Sequence, residues 1–499
     1  FSTVMAGSDS APLFKECLVV GLQRNSDSTL RTQLLHHFAP EAGSGPGEEK
    51  RAQAYVQFCF PNLEEMQHAT AFPASESFTY TLTEDDGSRL FGFCRRILHP
   101  GSGGLPVCLC VLSKRQWFSL FAHVLDIMQL NYDIDAFVAP FLKAAHAAPV
   151  PLLPGATVVV APWGPDGQQV FRLTTPEAQA PRVTSMDFLF ERLGIAGALR
   201  LVAALCHESR VIILARQSSS ISQVAHAASA LLAPFQWQHV FIPVLPAAMI
   251  DYVAAPMPFV VGVLESHREL LASQPMDSCV FVDVDKGRFR GDDTVPQLPR
   301  PYRDALYRRL EALKHPRNGP RWDARSVSTA FSDFFAELLH DYREHLNPNA
   351  VMSLRASHAE AERARRGEGG RPPPGGGVSL DALFDHAAFV SSQPSSCRAF
   401  LEALRGAQLW EVWLVDAALD SEYLQPFQTR VLEASARLAE ASLGGSEASR
   451  ASPSTRARDT LTSLKFMAAS HAHNGLGRSP SGSGCGSPAF SSPGSAAGG

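Results

Sequence analysis

The 499-residue sequence predicts a chain of mixed α/β and α+β class in three modules: an N-terminal α+β module, a central α/β module with a mostly parallel sheet, and a C-terminal all-helical module. Three observations carry this reading. Residues 10–140 alternate at period 2 around a tight Asp-Gly turn, the pattern of an antiparallel meander backed by helices. Residues 186–300 interleave apolar β-branched runs with helical patterns, which argues strands covered on both faces and right-handed crossovers. Beyond Pro301 the strand patterns stop, and apolar residues recur at helical spacing to residue 442.

In chain order, LFKECLVVG (13–21) reads as a first strand, and Gly43 to Lys50 as an exposed loop. YVQFCFPNLEEM reads as a strand stopped by Pro61. Phe78, Tyr80 and Leu82 alternate with threonines on a half-buried strand. Asp86-Gly87 then turns the chain into RLFGFCRRIL, because glycine accepts the positive φ of a hairpin turn. PVCLCVL (106–112) is a further strand and Trp117 to Leu130 a helix. Residues 141–185, rich in Pro, Ala and Gly, read as a linker around one strand, ATVVVAP.

Met186 to Cys206 reads as helix, RVIILA (210–215) as a buried strand, and Ser222 to Leu232 as helix again. His239 to Leu245 and Pro258 to Val263 are two apolar strands around a short helix that Pro246 opens, its missing N–H falling among donors unpaired at a helix start anyway. Pro256 and Pro258 end that helix, since proline disfavours helix in the residue before it. SCVFVDVD (278–285) is one more strand, stopped at Lys286-Gly287. In the third module, Val327, Phe331, Phe334, Phe335, Leu338, Leu339 and Tyr342 share one helical face that requires a partner surface. Helices resume over 383–415 and 424–441. The Gly/Pro insert 367–377 and the Ser/Gly/Ala/Pro tail 443–499 are expected to be disordered by composition, apart from a short helix near 461–467.

Composition excludes several function classes. Hydrophobic residues make up 45% and charged residues 19%, the balance of a globular chain. A formal charge of −5 leaves no basic footprint for nucleic acid. No run approaches the roughly 18 apolar residues of a membrane span. The N-terminus lacks the basic start and apolar core of a secretory signal, and its lack of an initiator methionine is what a fragment would show. Nine scattered cysteines suit a reducing, cytoplasmic setting better than a disulfide framework.

Side-chain chemistry has no candidate, so no catalytic residue, metal ligand or cofactor is expected. Cys108-x-Cys110 shares one strand face with no second pair nearby, and structural zinc needs four ligands, so the pair reads as core. Asp283-x-Asp285 could hold a cation, but a strand end entering a turn is the simpler reading. His207-Glu208 lacks the second histidine of a zinc-protease helix. Arg308-Arg309 and Lys314-His315 read as solvated charge, with a phospholipid or phosphate contact as the alternative. His471-x-His473 lies in the tail, and P-loop, GxSxG and GxGxxG patterns are absent from their required contexts.

WQHVFIPVLP (237–246), the Asp-Tyr of MIDYVAAP (249–256) and MPFVVGV (257–263) resemble the central signature of DENN-domain proteins. QFCFP, FGFCRRI and VCLCVLSKRQWF resemble the upstream module of that family, which implies a longin-like N-terminal module; VSTAFSDFFAELLHDYREHL and FVSSQPSSCRAFLEALRGAQLWEVWL resemble the downstream one. FGFCR, CLCVLS, WQHVFIPVLPAAMID and FVSSQP are most similar to the connecdenn branch. The resemblance implies a guanine-nucleotide exchange factor that promotes GDP release from a Rab-family small GTPase in vesicle trafficking or endocytosis, without bond chemistry of its own. It further implies a cytoplasmic protein recruited peripherally to endosomal or vesicle membranes, with a phosphoinositide contact there. The GTPase is expected to dock on the exposed side of the short helix, at Pro246, Met249, Asp251, Tyr252 and Met257, and on Asn62, Glu64 and Glu65 after the first proline-stopped segment. The alternatives are a Rab-binding effector or scaffold with this fold but no exchange activity, and an α/β enzyme with a ligand pocket at the strand ends.

Overall fold

The computed structural model describes residues 12–40, 46–69, 71–84, 86–151, 153–163, 169–177, 185–276, 278–291, 296–315, 321–365 and 378–444. The insert 367–377 and the tail beyond 444, including the expected short helix and His471-x-His473, lie outside the described residues. The chain divides into a unit of residues 1–432 and a second of 433–499. In the second, residues 433–444 are helical.

The first module is a five-stranded antiparallel sheet. Its strands are β1 (Glu16–Arg24), β2 (Leu30–Phe38), β3 (Ser75–Thr83), β4 (Arg89–Leu98) and β5 (Pro106–Ser113), in the order β2-β1-β5-β4-β3. Helices α1 (Pro46–Cys59) and α2 (Leu63–Gln67) lie between β2 and β3. Helices α3 (Phe118–Leu130) and α4 (Ala139–Ala147) follow β5, and then the hairpin β6 (Thr157–Val160)/β7 (Phe171–Thr174). The Asp86-Gly87 turn forms as expected, with Gly87 at φ +78° between paired Thr83 and Arg89.

Both faces of this sheet are covered at its centre, so both parities of β1 and β5 are apolar. Leu18, Val20, Cys108, Cys110 and Leu112 enter one core with α1 and α2; Val19, Leu109 and Val111 enter another with α3, α4 and the hairpin. Gly92 on β4 is required by close approach, because a Cβ there would sit 2.2 Å from the Tyr80 ring.

Two expectations are corrected here. Residues 55–59 of YVQFCF are the end of helix α1, not a strand, and Pro46 to Lys50, expected as loop, is its first turn; residues 43–45 lie outside the described set. Ala52, Tyr55, Val56, Phe58 and Cys59 are buried while Gln53, Ala54 and Gln57 are exposed, a helical spacing hidden inside a short aromatic run. The stretch expected as a linker instead contributes α4 and β6–β7, whose Val158, Val160 and Leu173 are buried in the second core.

The second module begins with α5 (Met186–Cys206), kinked at Gly194 where φ is +67°. Strands β8 (Arg210–Ala215), β9 (Val240–Ile242), β10 (Phe259–Leu264) and β11 (Cys279–Asp283) are parallel, and β12 (Arg288–Arg290) is antiparallel, in the order β12-β11-β8-β10-β9. Helix α6 (Ser218–Ala230) crosses from β8 to β9, and α7 (Arg268–Ala272) lies between β10 and β11. Gly262 on β10 admits both α6 and the incoming chain, since a Cβ there would lie 1.9 Å from the Pro243 carbonyl oxygen and 2.1 Å from Ile221. Ile212, Val261 and Val263 of this sheet share one continuous core with Leu18, Val20 and Tyr80 of the first.

The third module comprises α8 (Arg300–Lys314), α9 (Ala324–Leu338), α10 (Pro348–Arg365), α11 (Leu380–Leu383), α12 (His386–Ser392), α13 (Ser395–Arg405), α14 (Gln408–Ala418) and α15 (Gln425–Gly444). The predicted stripe of α9 packs inward: Val327, Phe331, Phe334, Phe335, Leu338, Leu339 and Tyr342 are at most 1% exposed. Phe335 meets Phe235 of the second module edge-on at 5.2 Å, and Tyr342 meets Trp413 of α14 at 5.0 Å. No helix among the described residues is long and apolar enough to cross a membrane.

Candidate functional site

The short helix after Pro246 is a run of 3-10 turns over Ala247–Ala254. Its sidedness follows from which residues the sheet needs: Ile250 and Val253 are buried in the shared core, while Asp251 and Tyr252 face outward. Tyr252 is 49% exposed and Met257, just past the turns, 52%. Two expected surface residues lie elsewhere. Pro246 is buried and acts by fixing the chain at the turn's start, with φ −63° and ψ 149°; Met249 is half-buried and packs on the core. The apolar spacing of AAMIDYVA is compatible with either side, which is why the sequence misplaces them.

The other half of the predicted surface lies on α2, where Glu64 and Glu65 are exposed and Met66 is buried. Asn62 caps the approach: its Oδ1 accepts from Arg96 Nη1 at 2.8 Å and its Nδ2 donates to Glu65 Oε2 at 3.3 Å. Arg96 is buried on β4 and binds four elements together. Its Nη2 donates to Ser218 Oγ of α6 at 3.0 Å and lies 3.3 Å from Glu76 Oε2 of β3, and its guanidinium stacks 4.8 Å over Phe78. Beside it Ser222 Oγ of α6 accepts from Thr79 N at 2.9 Å and donates to Thr79 O at 3.0 Å, satisfying an edge residue of the first sheet.

This seam brings the two halves into one neighbourhood. Burial holds His267, which precedes α7, below its ordinary pKa, while the nearby Glu64 and Glu65 carboxylates pull it upward. Helix α7 in turn packs against Ala247–Ala254. The exposed residues of the site are thus mounted on parts held by a buried network. Sequence reading missed Arg96, Ser218, Ser222 and His267. One signal was present: Arg96 has the parity of Cys94 on β4, which put a cation on a buried face.

The remaining candidates resolve into structural roles, with one correction. Cys108-x-Cys110 does have further thiols beside it: the sulfurs of Cys59, Cys94 and Cys110, from α1, β4 and β5, lie within 4.8 Å of one another, and Tyr80 Oη is 3.4 Å from Cys110 Sγ. All are buried, so no substrate reaches them. Asp283 pairs with Lys286 at 3.0 Å and Asp285 with Arg216 at 3.3 Å. Arg309 pairs with Glu337 at 2.5 Å and Lys314 with Glu311 at 3.7 Å. Glu208 pairs with His239 at 2.8 Å and accepts from the Gln408 and Leu409 amides at 2.9 and 2.8 Å, which caps α14.

Comparison with known proteins fits this architecture. Residues 32–97 match the uDENN domain and residues 104–287 the DENN (AEX-3) domain. DENN domain-containing protein 2B of Mus musculus is 35% identical over 428 residues, covering 82% of this chain and 35% of the relative. DENN domain-containing protein 2A of Homo sapiens is 36% identical over 312 residues, 59% of this chain and 31% of the relative. DENN domain-containing protein 2D of Homo sapiens is 31% identical over 351 residues, 68% of this chain and 73% of the relative. The chain therefore spans about a third of the length of the 2A and 2B relatives and most of that of 2D.

Proposed function

Since the chain belongs to the DENN family, we propose that it is a guanine-nucleotide exchange factor for a Rab-type small GTPase, seated on Glu64 and Glu65 of α2 and on Asp251, Tyr252 and Met257. The observation that carries the docking surface is that exposed apolar and acidic side chains sit on short elements whose inner faces are locked into one core. Exchange needs no bond chemistry. A protein that binds the nucleotide-free GTPase more tightly than the loaded one lowers the barrier to release, and a thousandfold acceleration takes about 4 kcal/mol of differential binding. A few well-packed hot-spot residues supply that much, provided they are held rigidly enough to keep a switch segment displaced. Tyr252 and Met257 are such anchors, and Glu64 and Glu65 offer charge to basic groups of the partner. Asn62 and Met249 support this surface from behind, and Pro246 sets its backbone. Action in vesicle trafficking, in the cytoplasm and at endosomal or vesicle membranes, belongs to the same proposal. The test is GDP release from a panel of Rab GTPases: acceleration of at least one supports exchange, while tight binding without release identifies an effector or scaffold.

A further inference from the structure

Four of the buried cysteines converge in the first module from places far apart in the chain. Cys59 ends α1, Cys94 lies on β4, and Cys108 and Cys110 lie on β5. Cys94 stands opposite Cys110 in the β4–β5 register, so their side chains leave the sheet on one face, and Cys108, two residues along, shares it. The end of α1 brings Cys59 onto that face, and the sulfurs of Cys59, Cys94 and Cys110 lie within 4.8 Å of one another. The Cys108 thiol interacts with those of Cys59 and Cys94, which makes it the fourth of the group.

A buried cysteine ordinarily packs as a small hydrophobe and needs only apolar neighbours. Here sulfur meets sulfur, and two polar side chains stand beside the group. Tyr80 Oη lies 3.4 Å from Cys110 Sγ. Arg96 stands opposite Cys108 and two residues from Cys94, so it shares their face, with part of its charge taken by Glu76 at 3.3 Å. A hydroxyl donor and a cation beside thiolates are the outer partners that orient metal ligands and offset their charge. A tetrahedral zinc ion with Zn–S bonds of about 2.3 Å sets its sulfurs about 3.8 Å apart. The spacing of at most 4.8 Å between the three sulfurs closes to that value with shifts of about 1 Å.

We propose that this cluster is a structural zinc site, with Cys59, Cys94, Cys108 and Cys110 as its four ligands. The Cys108-x-Cys110 pair lacks a second pair in the sequence around it, and the packing of α1 and β4 supplies one. On binding, the S–H bonds break, each sulfur donates an electron pair to the ion, and the protons pass to solvent; nothing is oxidised or reduced. The ion enters as the module folds, because the folded group is closed to solvent. With four thiolates around it, no coordination position is left for a substrate. Its effect is to tie the end of α1 to the centre of the first sheet, directly ahead of α2. The site does not depend on exchange activity.

The test is the zinc content of the full, untagged chain, produced in zinc-supplemented cells, purified under reductant, desalted after mild chelation and read by plasma mass spectrometry. About one zinc ion per chain is expected. Cys94→Ala/Cys110→Ala and, separately, Cys59→Ala are expected to lose it, while Cys206→Ala, a buried cysteine at the end of α5, keeps it. Melting curves show which variants fold. The unaltered chain produced in cobalt-supplemented cells reads the ligands without any variant, and is expected to show thiolate-to-cobalt charge-transfer absorption. An unaltered chain free of zinc, zinc retained in the folded double variant, an equal loss in Cys206→Ala, or a cobalt-loaded chain without thiolate absorption overturns the proposal and leaves the four thiols as core packing.

Discussion

Replacing Arg96 by methionine tests whether the seam is held by this one cation. The substitution keeps most of the stem volume and removes the guanidinium. It deletes the donors at 2.8 Å to Asn62 and 3.0 Å to Ser218, and the 3.3 Å ion pair to Glu76. Hydrogen bonds to charged groups are worth about 1.5–3 kcal/mol each, and breaking a buried ion pair from one side costs about 3–5 kcal/mol because the partner charge is left uncompensated. Glu76 is only 16% exposed, so the lower end of that range is the floor of the estimate, and a loss of about 3–5 kcal/mol is expected in urea unfolding. Arg96→Met/Glu76→Gln removes the stranded charge as well and should lose clearly less than the sum of the two single changes. Limited proteolysis should report earlier cleavage around α2, which Arg96 holds through Asn62. A loss under about 1 kcal/mol, or strict additivity in the double variant, would refute the reasoning.

Three further outcomes follow from the core. Phe335→Ala should cost about 3–5 kcal/mol in thermal or urea unfolding, since it is fully buried against Phe235; normal stability with lost partner binding would make α9 an interface. Glu208→Gln keeps the shape but discharges the cap of α14 and the contact to His239, and should cost about 1–2 kcal/mol by the same measurement, with Glu208→Ala costing more. Burial holds His226 down to about 3 and His207 down to about 4, from an ordinary value of 6.5. The unfolded chain therefore binds protons that the fold refuses, so stability is full above about pH 6.5 and falls as pH drops toward 4. His226→Phe should flatten that fall in unfolding midpoints measured between pH 7 and 4, and an unchanged slope would contradict the assignment.

Much of the fold was legible because periodicity survives wherever one pattern governs a segment. The Asp86-Gly87 hairpin and the α9 stripe each show one period throughout, and the parallel RVIILA and MPFVVGV strands are short, continuous apolar runs, the mark of strands covered on both faces. Helix α1 was misread because its apolar residues cluster at YVQFCF, where a helix and a strand covered on both faces look alike. The seam was illegible for a different reason. Arg96, Ser218 and Ser222 are far apart in sequence, and only the packing of α6 along β3 brings their polar atoms within bonding distance. The same holds for the thiols of Cys59 and Cys94, which the sheet register and α1 deliver to Cys110. Pro246 and Met249 show the limit on the site itself: a short apolar turn states which residues it contains, while the sheet beneath decides which of them reach solvent.

The central claim is that two exposed patches, on α2 and on the turns after Pro246, together hold a nucleotide-free Rab GTPase. Its most direct measurement is release of fluorescent GDP from the most responsive Rab of a panel, with the full chain, with Glu64→Lys/Glu65→Lys, and with Tyr252→Ala. Acceleration by the unaltered chain should fall by about thirtyfold in each variant, the effect of losing about 2 kcal/mol of hot-spot binding, while melting temperatures stay unchanged. Acceleration that is the same in all three proteins would contradict the claim.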